Sequence, residues 1–260
     1  MHAGLEPPGG TPIPPHRPLT EFYRAPDERR QFLNELFDGA AGDYNWMSGA
    51  LSFWTDRKYR VTALRNAGLR QGMKMLDVAT GTGLVVQAAL DIGLGVQDIV
   101  GLDPSAGMLA ENRRTTGVQL IQGRGEALPF ADGTFDFVSL GYALRHVEDL
   151  MELFGEFRRV LRPGGRVLIL EISRPSSRPA FAAMGFYMRR VLPLLMRWRR
   201  RPAEASRLLE YYWATISECV PPGVILDALT RTGLQCDRRR FPGGVLNEYL
   251  GIKDVRQPVS

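Results

Sequence analysis

Apolar residues occur along this chain in two spacings, and each spacing predicts a different kind of element. Continuous apolar runs typical of buried parallel strands lie at 74–79, 98–102, 118–122, 135–140 and 166–172. Between them, apolar residues three or four positions apart predict helices over 84–92, 104–113 and 148–161. Strands and helices that alternate in this way need right-handed crossovers, so the pattern predicts an α/β fold with a doubly wound, mostly parallel sheet.

The two ends of the chain have different patterns. Residues 1–26 are rich in Pro and Gly and predict a disordered leader. Residues 27–67 predict a helical cap with an aromatic stretch, 43–54, that is suited to cover a pocket. Residues 68–260 form the sheet domain, in which the alternation stops at a basic helical insert over 180–213. A helix over 223–232 and strands near 234–241 and 245–252 follow this insert.

The composition is that of an ordinary globular protein, with 44% apolar and 23% charged residues among 260. The two cysteines, Cys219 and Cys236, have neither a metal-ligand spacing nor a disulfide framework, so we expect a reducing compartment and no metal. No apolar run reaches membrane-spanning length, and residues 1–26 lack the apolar segment of a secretory signal. We therefore expect a cytoplasmic protein, whose net charge of +5 weakly favours anionic partners.

The segment from Met75 to Leu84 carries the strongest chemical signal. It predicts a strand, the glycine-rich turn Thr80-Gly81-Thr82-Gly83, and a helix whose free N–H groups point at a bound ligand. Asp103 ends the next strand, where a doubly wound fold places an acid against ribose hydroxyls. The NAD fingerprint needs a third glycine where this chain has Val86, and Asp77 precedes the loop. The pattern favours S-adenosylmethionine as the cofactor; the alternative is that the glycines only make a tight turn.

Residues after the other strands complete the predicted cofactor pocket. Met108 is placed to lie against a flat ring, with a helix cap and a core methionine as the alternative. Arg124-Gly125 follows the third strand and should meet the adenine, although such a loop is by itself only a turn. Gly141 follows the fourth strand, at the edge where doubly wound folds bind ligands.

Arg145 and His146 come directly after this edge and are candidates for catalysis. Arginine can hold a phenolate or carbonyl oxygen, and histidine titrates near neutral pH and can act as a base. The alternative is that both side chains only decorate the start of a helix.

The stretch Arg189–Arg201 is basic and is interleaved with apolar residues. A solvated basic face is the ordinary interpretation, and a peripheral contact with a membrane surface is the more specific one.

Two motifs give residues 37–250 a resemblance to a known family. Arg159-Val-Leu-Arg-Pro-Gly-Gly-Arg-Val-Leu-Ile-Leu-Glu-Ile-Ser173 and Gly125-Glu-Ala-Leu-Pro-Phe130 resemble signatures of the ubiquinone/menaquinone biosynthesis C-methyltransferase family. That family lies within the class I S-adenosylmethionine-dependent methyltransferases. The resemblance implies a Rossmann-like sheet of seven strands with an antiparallel last strand, and cofactor contacts from Thr82, Asp103 and Arg124-Gly125.

The chain departs from the family pattern around the predicted acceptor pocket. Tyr44-Asn45-Trp46-Met47-Ser48 stands where the family has Tyr-Asp-x-Met-Asn. Asp56 and Tyr59 replace a His and a Trp, Gly141 replaces a Ser, and His146 replaces an Asn.

The resemblance implies carbon methylation of a small phenolic or quinol acceptor, in which the cofactor supplies activation and the protein supplies orientation and a base. We assign Arg145 to the acceptor's oxygen, His146 to proton removal and Tyr44 to closing the pocket over the ring. The first alternative is an O- or N-methyltransferase of a secondary metabolite. The second is a basic nucleic-acid-binding protein with a vestigial cofactor site, which the absence of an interleaved RNA-binding motif disfavours. We also expect a homodimer and, through Arg189–Arg201, contact with the inner membrane surface.

Overall fold

The computed structural model describes residues 12–52, 54–175, 177–196, 202–240 and 245–255, with every side chain in these ranges except those of residues 26, 27, 202, 205 and 240. Within these ranges the strands are β1 (Met75–Val78), β2 (Ile99–Asp103), β3 (Gln119–Gln122), β4 (Phe135–Gly141), β5 (Leu161–Ile172), β6 (Leu234–Arg240) and β7 (Leu246–Lys253). The helices there are α1 (Pro26–Leu51), α2 (Asp56–Asn66), α3 (Leu84–Ile92), α4 (Ala106–Thr115), α5 (Leu150–Val160), α6 (Arg178–Phe186), α7 (Leu192–Met196), α8 (Pro202–Glu218) and α9 (Pro222–Arg231).

The described strands form one seven-stranded sheet in the order β3-β2-β1-β4-β5-β7-β6. The pairs from β3 through β5 are parallel, and β7 runs antiparallel to both β5 and β6. The chain order reverses direction between β1 and β4, so the carboxyl ends of these strands face a crevice where ligands bind in such folds. The predicted fold class is therefore confirmed.

Helices cover both faces of the sheet because the central strands are apolar on both sides. One layer packs buried aromatic side chains of α5, including Phe154 and Phe157, against β4 and α9. The other layer packs Leu64 of α2 and Val86 of α3 against β1 and β5. A third buried cluster joins α1 to α7 and α8 above the carboxyl edge, so these helices form a cap over the crevice.

The prediction of disorder over residues 1–26 fails for the described part of that segment. Leu19 and Tyr23 are buried in the cluster that joins α1 to α7 and α8, and Ile13 packs against the sheet core. The backbone N–H of Ile13 donates to Asp149 Oδ1 at 2.9 Å. The backbones of His16 and Cys219 form an isolated antiparallel β-bridge. Scattered apolar and aromatic residues thus hold a Pro-rich segment that lacks regular periodicity; residues 1–11 lie outside the described part of the chain.

The insert predicted as helical over 180–213 is made of several pieces. α6 ends at Phe186, one π-helical turn covers Tyr187–Val191, and α7 is short. α8 then begins at Pro202, a residue that favours the first turn of a helix. Residues 197–201, which carry much of the predicted basic stretch, lie outside the described residues. None of the described helices is long and apolar enough to cross a membrane.

Candidate active site

A cavity of about 1000 Å³, counted with its open mouth, lies at the carboxyl edge of the sheet beneath α1. Its lining includes eight of the residues predicted from sequence: Tyr44, Gly81, Asp103, Met108, Arg124, Gly125, Gly141 and His146. Five further predicted residues are not part of this lining: Asp77, Thr80, Thr82, Gly83 and Arg145. The structure therefore brings the ends of β1, β2 and β4 together as expected but divides the predicted set into lining and supporting residues.

The loop after β1 turns sharply under the cavity. Ala79, Gly81 and Gly83 all have positive φ, at 51°, 53° and 87°. A Cβ on Gly81 would meet no protein atom within 4 Å, which leaves room for a ligand against the backbone. Gly83 instead lies against Asn112, whose side-chain oxygen would be 2.6 Å from an added Cβ. Gly81 thus faces the cavity, whereas Gly83 permits close packing of α4.

Asp77 supports this loop and does not face the cavity. Its two carboxylate oxygens accept hydrogen bonds from Thr80 Oγ1 at 2.7 Å and Ser139 Oγ at 2.5 Å. Burial raises the pKa of Asp77 to about 6, although both hydroxyls act in the opposite direction. The side-chain polar atoms of Asp77 and Thr80 bind one another and, through Ser139, tie β1 to β4, and the cofactor contacts predicted for these two residues stay predictions.

Asp103 lies at the end of β2 and points along the cavity wall. Its carboxylate accepts hydrogen bonds from the backbone N–H groups of Gly81, at 2.8 Å, and Ser105, at 2.9 Å. Burial raises the pKa of Asp103 to about 6, against the lowering effect of these two bonds. The acid is therefore held rigidly, with lone pairs left to accept further hydrogen bonds.

The cap helix α1 is attached to both loops through side chains that the sequence analysis did not select. Asp38 accepts hydrogen bonds from Ser105 Oγ at 2.5 Å and from the Gly107 N–H at 2.8 Å. Asn45 accepts one from Thr82 Oγ1 at 2.5 Å. The hydroxyl of Thr82 therefore binds the cap, and the cofactor contact predicted for this residue stays a prediction.

Aromatic side chains form the end of the cavity nearest the cap. The ring of His146 lies 5.6 Å from Tyr212 in a stacked arrangement and 5.2 Å from Phe37 edge to face. The Tyr212 hydroxyl donates to the Tyr44 hydroxyl at 3.2 Å, and burial raises the pKa of both phenols. This end can hold a flat apolar ring against aromatic side chains and present it with the hydroxyl proton of Tyr44.

His146 is neutral at physiological pH. Burial, reinforced by the charge of Arg145, lowers its pKa well below the usual value of 6.5. Neither ring nitrogen has a hydrogen-bond partner among the described residues. The prediction of an imidazole titrating near neutrality is therefore corrected, although a neutral imidazole with a free lone pair still accepts a proton.

Arg145 does not reach the cavity, although it is adjacent to His146 in sequence. Its Nε lies 2.8 Å from Glu171 Oε1, and its Nη1 donates to Thr215 Oγ1 at 2.8 Å. Both members of the ion pair are inaccessible to solvent, at 1% and 0% exposure. The predicted contact of Arg145 with the acceptor's oxygen is corrected, because these partners hold the guanidinium behind the cavity wall.

Charged residues line the mouth of the cavity near β3. Glu148 forms two ion pairs: its Oε1 lies 2.8 Å from Nε of Arg30 on α1, and its Oε2 lies 2.8 Å from Nη2 of Arg124 in the loop after β3. Glu126 accepts a hydrogen bond from the Glu148 N–H at 2.8 Å. These pairs connect the cap to the predicted adenine end.

Sequence reasoning missed Asp38, Glu148 and Tyr212, for which no local motif exists. The described residues contain no cluster of three His, Cys, Asp or Glu side chains that could hold a metal ion.

Comparison with known proteins agrees with this geometry. A model of the ubiE/COQ5 methyltransferase family matches residues 25–252. The chain is 31% identical to the demethylmenaquinone methyltransferase of Shouchella clausii over 238 residues, which are 87% of this chain and 98% of the relative. It is 38% identical to the ubiquinone/menaquinone biosynthesis C-methyltransferase UbiE of Geobacter sulfurreducens over 178 residues, 65% of this chain and 68% of that protein.

Solved structures share the fold at lower identity. A SAM-dependent methyltransferase from Thermotoga maritima has a TM-score of 0.62 at 16% identity and covers 85% of this chain and 100% of its own. Phosphoethanolamine N-methyltransferase 2 of Haemonchus contortus, in complex with S-adenosyl-L-methionine, has a TM-score of 0.60 at 18% identity, over 87% of this chain and 60% of its own.

Proposed function

Because the chain belongs to the ubiE/COQ5 methyltransferase family and is an S-adenosylmethionine-dependent methyltransferase, we propose that it methylates a ring carbon of a quinol. Several relatives are named demethylmenaquinone methyltransferase, so we propose demethylmenaquinone as the first acceptor to test. The observation that carries the proposal is that one cavity joins Asp103 and Gly81 to the aromatic group of Tyr44, His146 and Tyr212.

The residues of the sheet edge fit S-adenosylmethionine. Gly81 leaves open space beside the backbone, and the rigid carboxylate of Asp103 would accept hydrogen bonds from the ribose hydroxyls. Met108 and Gly125 line the part of the cavity where the adenine would lie. When bound, the cofactor supplies a methyl group activated by a sulfonium.

The acceptor would lie at the aromatic end, against Phe37 and Tyr212. Both side chains come from the cap, on α1 and α8, so the cap would exclude water from the reacting atoms. The Tyr44 hydroxyl takes the role first given to Arg145, because it accepts a hydrogen bond from Tyr212, lines the cavity, and keeps its own proton to donate to an acceptor oxygen.

His146 would remove the acceptor's proton. A phenolic hydroxyl has a pKa of about 10, so at neutral pH it needs a base, and His146 has an unpaired imidazole nitrogen in the cavity. The hydroxyl proton would pass to the imidazole, and the ring carbon beside the phenolate would take the methyl group that the bound cofactor supplies, with the carbon–sulfur bonding pair left on sulfur. The ring proton would then leave to water while the imidazolium returns its proton to the acceptor's oxygen, which restores both the aromatic ring and the neutral base.

Methyl-transfer mass spectrometry tests the acceptor class. The protein is incubated with methyl-deuterated S-adenosylmethionine and matched quinol and quinone forms of short-chain prenylated naphthalene and benzene rings. Simple phenols and amines serve as further acceptors. We expect label on a ring carbon of the quinols and none on the oxidised forms, which have no hydroxyl proton to give.

Two outcomes would contradict the proposal. Label on oxygen or nitrogen, located by fragmentation, would favour the O- or N-methyltransferase alternative. Label on the oxidised rings at the same rate would remove the role of the hydroxyl proton.

We further infer that the enzyme meets a lipophilic acceptor at the inner membrane surface. Phe186, Leu194 and Leu195 of α6 and α7 are exposed, with side chains 66%, 57% and 49% accessible, and Arg189 and Arg190 between them are also exposed. Apolar side chains flanked by arginines are typical of helices that lie on anionic bilayers. The homodimer stays a prediction.

A further inference from the structure

Arg60 of α2 carries a buried positive charge with one unused hydrogen-bond donor. Its side chain is 4% exposed, Nη1 donates to Asp56 Oδ2, and Nη2 donates to Ser48 Oγ at 3.4 Å. Its Nε has no partner among the described residues. Buried donors are nearly always paired, so this group points to a missing acceptor.

The guanidinium lies directly behind the cavity wall. Its Cζ is 5.2 Å from the centroid of the Tyr142 ring, and Tyr142 lines the cavity immediately after Gly141. Tyr142 also has a φ of 61°, a left-handed conformation that is rare for a residue with a large side chain. A strained residue therefore covers a buried cation at the carboxyl end of β4.

The position along the sheet edge indicates which part of the cofactor comes near this cation. Adenine and ribose are assigned to the ends of β3 and β2, where Gly125 and Asp103 lie. The next strands in the sheet are β1 and β4, so the amino-acid part of the cofactor extends toward Gly81 and Tyr142. That part carries a carboxylate, which in a closed site needs a cation or several donors.

The arginines that line the cavity have other partners. Arg30 and Arg124 both pair with Glu148 at the β3 end, and Arg29 donates to the Val147 carbonyl at 2.9 Å. Among the described residues, Arg60 is a buried cation at the β4 end with a donor that has no partner.

We propose that Arg60 binds the α-carboxylate of S-adenosylmethionine, and that the Tyr142 side chain turns aside to admit it. Arg60 is then a cofactor-binding residue. The proposal rests on cofactor use and is independent of the identity of the acceptor.

Calorimetry with two ligands tests this assignment. S-adenosylhomocysteine has the carboxylate, and 5′-methylthioadenosine has the same nucleoside without the amino-acid part. We expect Arg60→Gln to weaken S-adenosylhomocysteine binding by about 10- to 100-fold, as loss of a charged hydrogen bond would, and to leave 5′-methylthioadenosine binding unchanged. Arg60→Lys should restore part of the loss.

Arg57→Gln is the matched control, because Arg57 lies on the same helix but is 65% exposed and pairs with Asp91 outside the cavity. It should change the binding of neither ligand. If Arg60→Gln does not fold, Arg60→Met, which keeps the aliphatic length without a polar head, replaces it. Equal weakening of both ligands, or no weakening of S-adenosylhomocysteine, would overturn the assignment; failure of quinol methylation alone would not affect it.

Discussion

Arg145 and Glu171 form an ion pair at 2.8 Å that is closed to solvent on every side. The pair joins the segment after β4 to the neighbouring strand β5, and Thr215 of α8 completes it from the cap. The arginine beside the predicted base therefore fixes the wall that carries His146 and does not itself line the cavity.

Breaking this pair should destabilise the fold. Glu171→Gln leaves a buried, uncompensated guanidinium, so we expect a loss of about 3 to 5 kcal/mol in the free energy of unfolding, measured by urea titration. The double variant Arg145→Met/Glu171→Leu should recover much of that loss. If Arg145→Met kept full stability and lost only turnover, the arginine would act on the acceptor after all.

Replacement of the proposed base should slow turnover without affecting the cofactor. We expect His146→Asn to lower kcat roughly a hundredfold, the usual contribution of a positioned base, and to leave S-adenosylhomocysteine affinity unchanged. Because burial lowers the pKa of His146 below 6.5, the wild-type rate should stay level at neutral pH and fall only in more acidic buffer. The variant should lack this acidic limb. Full activity with an unchanged pH profile would make the histidine structural.

Cofactor affinity should depend on pH through Asp103. The pKa of its carboxyl is about 6, and only the ionised form has both oxygens free to accept hydrogen bonds. Affinity for S-adenosylhomocysteine should be constant well above pH 6 and decrease as the pH falls through it. Asp103→Ala should weaken binding by about 2 to 3 kcal/mol, as loss of hydrogen bonds to a charged group would, and flatten this dependence. Asp77 also has a pKa of about 6, and it is present in both the wild type and Asp103→Ala. Any pH dependence that Asp77 causes therefore remains in the variant, and the difference between the two pH profiles reports Asp103 alone.

Gly141 stands where the family has Ser, and a side chain at this position would clash with Val85. A Cβ at this position would be 2.8 Å from Cγ2 of Val85, a side chain with little rotamer freedom. We expect Gly141→Ala to cost about 1 to 3 kcal/mol of stability, and the cost to shrink in a Val85→Ala background. A double-mutant cycle in urea measures the coupling, and strictly additive effects would rule out the clash.

Binding to anionic vesicles should decrease with salt. If α6 and α7 contact a bilayer, sedimentation with vesicles containing phosphatidylglycerol should fall as ionic strength rises. At one ionic strength, replacing Arg189 and Arg190 with Gln should reduce sedimentation with the vesicles relative to the wild type. Arg57→Gln is the control for loss of charge alone. Equal sedimentation of all three proteins would leave a solvated basic face as the explanation.

The sequence predicted those features whose signals are local. The strand ends, the turn around Gly81 and the acid at Asp103 follow from short-range patterning, and the structure places them as expected. The partners of Arg145 and Thr82 were not predictable, because Glu171 and Asn45 are distant in sequence and meet them only through packing of the cap and sheet. For the same reason, the burial that lowers the pKa of His146 could not be predicted from the local sequence Arg145-His146.

The two attachments of α1 bear on the order of events during turnover. Asp38 and Asn45 are about two helical turns apart, and they grip the loops that follow β2 and β1. A shift of either loop when one ligand arrives would be transmitted by a stiff helix to the chamber that receives the other ligand. Because α1 is bound to both loops, a movement of one loop should change the position of the other. The two ligands should therefore bind cooperatively, and the rate at which the cap opens should determine how fast products leave.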